Sequence, residues 1–186
     1  MRRVIRTSSS TLSDVLPGEA INIDLGDLIT QLYSIILPLS LMQTIETAPT
    51  QRQSAADMLF VALNIVFSPG SASPPWRSAA FAKRLLTASL NWPPNTVLRV
   101  LDFVGGLITK DTKLEALLST EDRTVDGIYR PDVDDPQLCN PFGTSFWELL
   151  VLQQNHFDPR VRKEALALAH IHYTDIVRIQ GKIRNK

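Results

Sequence analysis

Apolar residues recur at three- and four-residue spacing along most of this chain, the signature of amphipathic helices. Leu25, Leu28, Leu32, Ile36 and Leu39 form one such face, with Asp24 placed as its N-cap and Pro38 expected to kink the helix near its end. A second helix is predicted over about 53–67, burying Leu59, Ala62, Leu63 and Val66. The Pro- and Ser-rich loop 68–75 ends on Pro75, which is placed to open a third helix carrying Trp76, Ala80, Leu85 and Leu86. "NWPPN" breaks that helix, and Pro94 opens a fourth with Val97, Leu98, Leu101, Val104 and Ile108 on one face. Gly105 and Gly106 fall inside it, where glycine costs roughly 1 kcal/mol relative to alanine. Close helix contact and an early kink are the two readings of that pair. A short helix over 113–118 follows.

No strand-like alternation interrupts this pattern, so the expected class is all-α, with antiparallel helices joined mostly by short loops. The spacing alone fits a bundle or an α-solenoid, since no clean repeat is visible. The exception is 119–143, which shows no period and contains "YRPDVDDPQLCNPFG". After it, "SFWE" reads as a capping box made by Ser145 and Glu148, opening a helix with Phe146, Leu149, Leu150 and Leu152. "NHFDP" is a tight turn in which His156 is placed to cap the preceding helix. Asp158 caps the next helix and Pro159 fills its first position. Val161, Ala165, Leu168 and Ala169 face inward.

Composition adds boundaries. With 186 residues, 44% hydrophobic, 20% charged and formal net charge zero, the chain suits one domain with its own core and is not a globally basic nucleic-acid binder. The organisation predicted is an N-terminal segment 1–20, read as a truncated helix, a helical domain 21–173 and a basic tail 174–186. The N-terminal "MRRVIRTSSSTLS" has the Arg- and Ser-rich look of a transit peptide, though a frayed helix explains it equally well. The tail carries Arg178, Lys182, Arg184 and Lys186 with no acid after Asp175; a solvated tail is the plain reading and a phosphate contact the sharper one. The uncharged run 28–45 holds too many polar residues for a membrane span and reads as a buried helix, so no membrane association is expected. Cys139, the only cysteine, excludes an intrachain disulfide and fits a reducing compartment.

Candidate chemistry is thin. His170 and His172 point to different helix faces, and there is no metalloprotease, P-loop or serine-elbow motif. Asp132, Asp134 and Asp135 are the best metal candidates, but prolines bracket them and no calcium-loop glycine is present. Aspartate beside proline more often satisfies turn backbone groups, and Arg123 and Arg130 can pair with these acids. No catalytic residue, metal or cofactor is therefore expected, and a metal-dependent hydrolase stands as a distant alternative.

"DPRVRKEALALA" resembles the second helix of a HEAT repeat, with Arg162 reaching back to a neighbouring turn's carboxylate. The longer block "GIYRPDVDDPQLCNPFGTSFWELLVLQQNHFDPRVRKEAL" resembles the C-terminal signature of the CCAAT-binding-factor (CBF) domain of nucleolar complex-associated proteins, in its protein-three branch. "INIDLGDLITQLYSIILPLSL" and "PPWRSAAFAKRLLTASLNWPPNTVLRVLDFVGGLITKDTKLEALLSTEDR" extend the likeness to about 21–168. The resemblance implies a HEAT/armadillo-like α-solenoid with one long ordered Pro/Asp-rich loop, taken from the C-terminal part of a longer protein. It further implies a non-enzymatic nucleolar scaffold in large (60S) ribosomal subunit biogenesis and pre-ribosome transport. The implied partners are a sister nucleolar complex protein, pre-60S particles and rRNA; a chromatin-associated replication initiation factor is the alternative. Tyr129, Arg130, Pro131, Asp134, Asp135, Pro136, Asn140, Pro141, Phe142, Trp147 and Glu148 are expected to form a structural clasp or partner interface, with Trp147 a buried anchor. Arg160, Arg162 and Lys163 are the candidate RNA contacts.

Overall fold

A computed structural model describes residues 17–42, 45–47, 53–68, 70–71, 73–119 and 127–171, with side chains from residue 26 onward. Residues 1–16, the tail 174–186, Arg123 and His172 lie outside them. The described residues form six α-helices and two 3-10 turns, with no strand, in agreement with the all-α expectation: α1 (Pro17–Leu39), α2 (Ala55–Val66), α3 (Pro75–Ser89), α4 (Pro94–Lys110), α5 (Trp147–Asn155) and α6 (Pro159–Ala169). Among them no helix is long and apolar enough to cross a membrane.

The first helix departs from its predicted bounds. It begins at Pro17, a residue suited to a first helical turn, so Asp24 lies inside it rather than capping it. Its buried face is Ile29, Leu32, Tyr33 and Ile36, and Leu28 is turned outward. Tyr33 draws the face round because its ring meets Phe81 edge-on at 5.2 Å. Pro38 sits in the last turn, and the helix ends one residue later.

Each later helix starts where local chemistry permits. Ser54 and Asp57 make a reciprocal capping box on α2, while α3 and α4 open on Pro75 and Pro94. Neither proline-led helix has a side-chain cap from its own N-cap residue. For α4 the missing group arrives from the α1–α2 connection: the Glu46 carboxylate accepts from the Thr96 backbone N–H at 2.8 Å and from the Thr96 hydroxyl at 2.7 Å. A carboxylate there also meets the positive end of the helix dipole. The α4 helix runs unbroken through Gly105 and Gly106, so the kink is not made. The short helix after it is a 3-10 turn, Thr112–Leu117, started by Asp111 accepting from the Lys113 N–H.

The core is organised around α3, which contacts α1, α4, α5 and both 3-10 turns. A chain of edge-to-face aromatic pairs, Tyr33–Phe81–Phe67–Phe103–Phe60, links α1, α3, α2 and α4. Such pairs add to simple area burial and fix ring orientation. The α5–α6 hairpin closes the far side, resting on α4 through α6 and on α3 through α5.

Replacing Glu46 with alanine is expected to lower stability by about 1 kcal/mol, the usual worth of a helix N-cap. Urea unfolding would show it as a lower midpoint at constant slope; an unchanged midpoint would mean that water serves the α4 terminus equally well.

Candidate functional site

Helix α3 buries residues all round its circumference, from Ser78 to Ser89. A helix without a wet face should be apolar throughout, yet its middle carries Lys83 and Arg84, each only 1% exposed. Burying an ion costs several kcal/mol unless its partners replace water. The two side chains, one position apart, meet that requirement with different parts of the loop.

Lys83 Nζ donates to the Ser145 carbonyl at 2.6 Å and to Glu148 Oε2 at 2.8 Å. Glu148 is itself fully buried, and its other oxygen accepts from the Thr87 hydroxyl at 2.7 Å. The rings of Trp147 and Tyr129 lie 5.0 and 5.6 Å from the ammonium, within cation–π range. Arg84 donates to three backbone carbonyls, those of Tyr33 at 3.1 Å, Pro131 at 3.0 Å and Val133 at 2.9 Å. Its guanidinium pairs with Asp134 Oδ1 at 2.9 Å and stacks over the Tyr33 ring at 3.9 Å.

The loop's own backbone is shaped to deliver these groups. Gly127 (φ 102°) and Asn140 (φ 47°) are both left-handed, and the Arg130 N–H donates to the Cys139 carbonyl at 2.8 Å, tying the two arms together. A Cβ on Gly143 would stand 2.8 Å from the Gly127 carbonyl oxygen and 2.9 Å from the Tyr129 nitrogen, so only glycine fits that crossing. Asp135 accepts from the Gln137 N–H at 2.8 Å, the local bond that aspartate in a turn is suited to make. Cys139 is buried beneath, its thiol facing the Pro136 carbonyl at 3.5 Å. Burial pushes the Cys139 thiol up and, most of all, the Tyr33 and Tyr129 hydroxyls, so all three stay protonated at neutral pH. The loop leaves through the Phe146 N–H, which donates to the Leu117 carbonyl at 2.7 Å.

Several expected site residues are thus brought together. Tyr129, Asn140 and Phe142 are half-buried, Pro136 and Pro141 are buried, and Asp134 and Glu148 supply the two carboxylates. Pro131 is exposed and serves through its carbonyl. Three expectations are corrected. Ser145 and Glu148 do not form a capping box: α5 starts at Trp147 behind Phe146 without a side-chain cap, because the buried Lys83 claims Glu148. Arg130 is exposed, and the guanidinium that meets Asp134 is Arg84. Trp147 is 46% exposed, since its ring lies over the Lys83 ammonium rather than inside the core. Of the three aspartates, Asp134 faces Arg84, Asp135 accepts from its own turn as aspartate in a turn is expected to, and Asp132 is exposed. Among the described residues no three His, Cys, Asp or Glu side chains are grouped to hold a metal ion.

Lys83 and Arg84 were absent from the sequence expectations. The signal was available: "SAAFAKRLLTASL" carries no charge apart from that pair, and charges on a helix buried all round need partners.

The candidate RNA-contacting residues have local work. Arg160 pairs with Asp158 at 2.7 Å, and Asp158 caps α6 by accepting from the Arg160 N–H at 2.8 Å. Arg162 donates to the His156 and Phe157 carbonyls, at 2.7 and 3.0 Å. It holds the α5–α6 turn through its carbonyls, not through a carboxylate. His156 ends α5, and its Nδ1 accepts from the Asp158 N–H at 3.1 Å. Lys163 is exposed.

Comparison with known proteins adds context to this geometry. Residues 7–165 match the model of the CBF/Mak21 family. The chain is 29% identical over 164 residues to nucleolar complex-associated protein 3 of Schizosaccharomyces pombe, covering 80% of this chain and 22% of that protein. It is 30% identical over 151 residues to a human nucleolar complex protein 3 homolog, covering 81% and 18%. A zebrafish (Danio rerio) nucleolar complex protein 4 homolog is 35% identical over 109 residues, covering 57% and 21%. The chain therefore spans about a fifth of the length of these relatives.

Two outcomes follow from the site. Lys83→Met should lose about 3–5 kcal/mol, because Glu148 is left buried without its cation, and adding Glu148→Met should regain most of it. Urea unfolding of the single and double variants checks this; a double variant no better than the single would show that the pair is not the coupled unit. At α6, the bonds from Arg160 hold the Asp158 carboxyl at about 2, below its ordinary 3.8. The cap's contribution is thus full above the ordinary value and lost as pH falls through the folded one. NMR titration of the Asp158 carboxyl should place its midpoint near 2, rising towards the ordinary value in Arg160→Gln.

Proposed function

The chain belongs to the CBF/Mak21 family, and we propose that it acts as a non-enzymatic helical scaffold in assembly of the large (60S) ribosomal subunit in the nucleolus. The observation that carries this reading is the family match across most of the chain, together with relatives named as nucleolar complex proteins 3 and 4. The likeness to both kinds of relative supports a sister nucleolar complex protein as partner, with pre-60S particles as the setting. The Asp-Pro turn between α5 and α6, braced by Arg162, supports a HEAT-like stacking of helical hairpins.

The surface of α2 suits a scaffold. Met58, Val61 and Ile65 are 48%, 51% and 58% exposed and lie at helical spacing on one face. Exposed apolar side chains grouped on one helix face support its use as a surface for another protein. The loop's paired aspartates and the buried Lys83–Glu148 pair support a structural use of those groups rather than a catalytic one. RNA contact, as part of the same reading, rests on Arg160 and Lys163, since Arg162 is turned to its own turn.

Affinity purification of the tagged full chain from nuclei should recover large-subunit rRNA precursors and a second nucleolar complex protein. Met58→Lys with Ile65→Lys should lose the protein partner while leaving thermal stability unchanged. Recovery of neither would overturn the reading, and recovery of chromatin with replication factors alone would replace it with the replication alternative.

A further inference from the structure

Helices α4 and α6 leave a groove of about 830 Å³ between them. From α4 it is lined at helical spacing by Leu98, Asp102, Gly105, Gly106 and Thr109, so it follows that helix for about three turns, roughly 16 Å. Its floor is made of small groups. Gly106 is exposed and a Cβ added there would meet nothing within 4 Å, a Cβ on Gly105 would meet only the Leu168 side chain, at 3.5 Å, and Ala167 faces the groove from α6. Glycines inside a helix cost roughly 1 kcal/mol each against alanine. Packing among the described residues does not call for them at 105 and 106. They do leave a place where the backbone of another helix can come close, because the side chains at a helix contact set the distance between axes.

Charge defines what such a helix has to carry. The rim holds two exposed carboxylates, Asp102 on α4 and Glu164 on α6, and no lysine or arginine is among the described residues that line the groove. Neither carboxylate is in an ion pair among the described residues. A rim of this sign disfavours the phosphates of nucleic acid and of anionic membranes. Leu98, Leu168 and Ile171 offer apolar contact. An occupant of matching chemistry therefore has an apolar stripe edged by lysine or arginine, whose stems lie over apolar groups while their charged heads reach the carboxylates. The chain's own exposed apolar face, on α2 (Ala55–Val66), has no lysine or arginine, so a second copy docked through that face would leave both carboxylates unanswered.

We propose that the groove between α4 and α6 is a docking site for a basic amphipathic helix of a partner protein, its apolar stripe laid on Gly105, Gly106 and Ala167 and its cations on Asp102 and Glu164. Recognition of a helix in a groove uses anchors at i, i+3, i+4 and i+7, and three turns of groove admit them. The inference rests on the scaffold reading only in taking the occupant to be a protein, and it adds a surface whose residues are distinct from the α2 face.

Binding of the purified full chain to two synthetic peptides tests this. Each peptide has about 15 residues, enough to form a helix, with leucines at i, i+3, i+4 and i+7 flanked by lysine in one and by glutamate in the other. The lysine peptide should bind and the glutamate peptide should not. Asp102→Lys with Glu164→Lys changes only exposed positions. It should weaken the lysine peptide roughly tenfold, or about 1.4 kcal/mol, and make the glutamate peptide the better ligand. Gly106→Leu should remove binding of the lysine peptide by filling the floor; should that variant unfold, the rim reversal carries the test alone. Met58→Lys with Ile65→Lys should leave the peptide affinities unchanged, which separates the groove from the α2 surface. Peptide binding is measured on the isolated chain, so it stands or falls apart from recovery of ribosomal precursors. A photo-crosslinking residue in place of Thr109, exposed at the end of the groove, then captures the natural occupant in cells. The captured segment should belong to another protein and carry lysine or arginine beside an apolar helical stripe. A preference for the lysine peptide that survives the rim reversal would overturn the proposal. So would capture of this same chain, whether from within it or from a second copy, capture of a segment without basic residues, or no capture at all.

Discussion

Two cations inside one helix set the terms for this fold. Lys83 and Arg84 sit where water cannot reach, and neither can be left without partners at tolerable cost. Everything that covers α3 on that side is there in a form that answers them. Tyr33 of α1 gives a ring and a carbonyl, the Pro/Asp-rich loop gives two carbonyls and Asp134, and α5 begins so that Glu148 points back at Lys83. An apolar pair at these positions would accept many arrangements of a covering loop. A guanidinium with directional N–H groups and an ammonium facing one carboxylate accept few.

The two cations use the loop differently. Arg84 reads mostly main-chain carbonyls, so its grip depends on where the backbone runs and little on which side chains the loop carries. That makes the left-handed residues and the crossing at Gly143 the shape-determining positions, since they set the backbone path. Lys83 is met largely by side chains, the Glu148 carboxylate and the Trp147 and Tyr129 rings, beside the Ser145 carbonyl, and Glu148 in turn ties the loop's exit to the first turn of α5. The clasp therefore has a main-chain half and a side-chain half, and both close on the same two turns of α3.

Much of this was visible in the residues. Pro75, Pro94 and the Asp158-Pro159 pair mark helix starts because each is suited to only a few backbone positions, and these starts fall where expected. The apolar spacing of α2, α4 and α6 gave their buried faces for the same reason: local period and burial agree there. What failed was local reasoning about groups with distant partners. "SFWE" satisfies every local condition for a capping box, yet Glu148 is claimed by a lysine far back in the chain. Trp147, expected as a buried anchor of the clasp, instead roofs that lysine. The cap of α4 comes from Glu46, a residue with no local reason to be noticed. Side chains whose role depends on tertiary partners carry no periodic signal.

The separation between these partners also has a consequence for how the chain is made. Lys83 precedes Glu148 by 65 positions, and Arg84 precedes its loop acceptors by 47 to 50. At about 5–20 residues per second, translation leaves the lysine without its carboxylate for roughly 3–13 seconds after it is polymerised. During that interval α1 to α4 can approach one another, but α3 must keep its charged side towards water. The flank of α3 that carries both cations therefore lacks its partners until the stretch from Pro131 to Glu148 has been made.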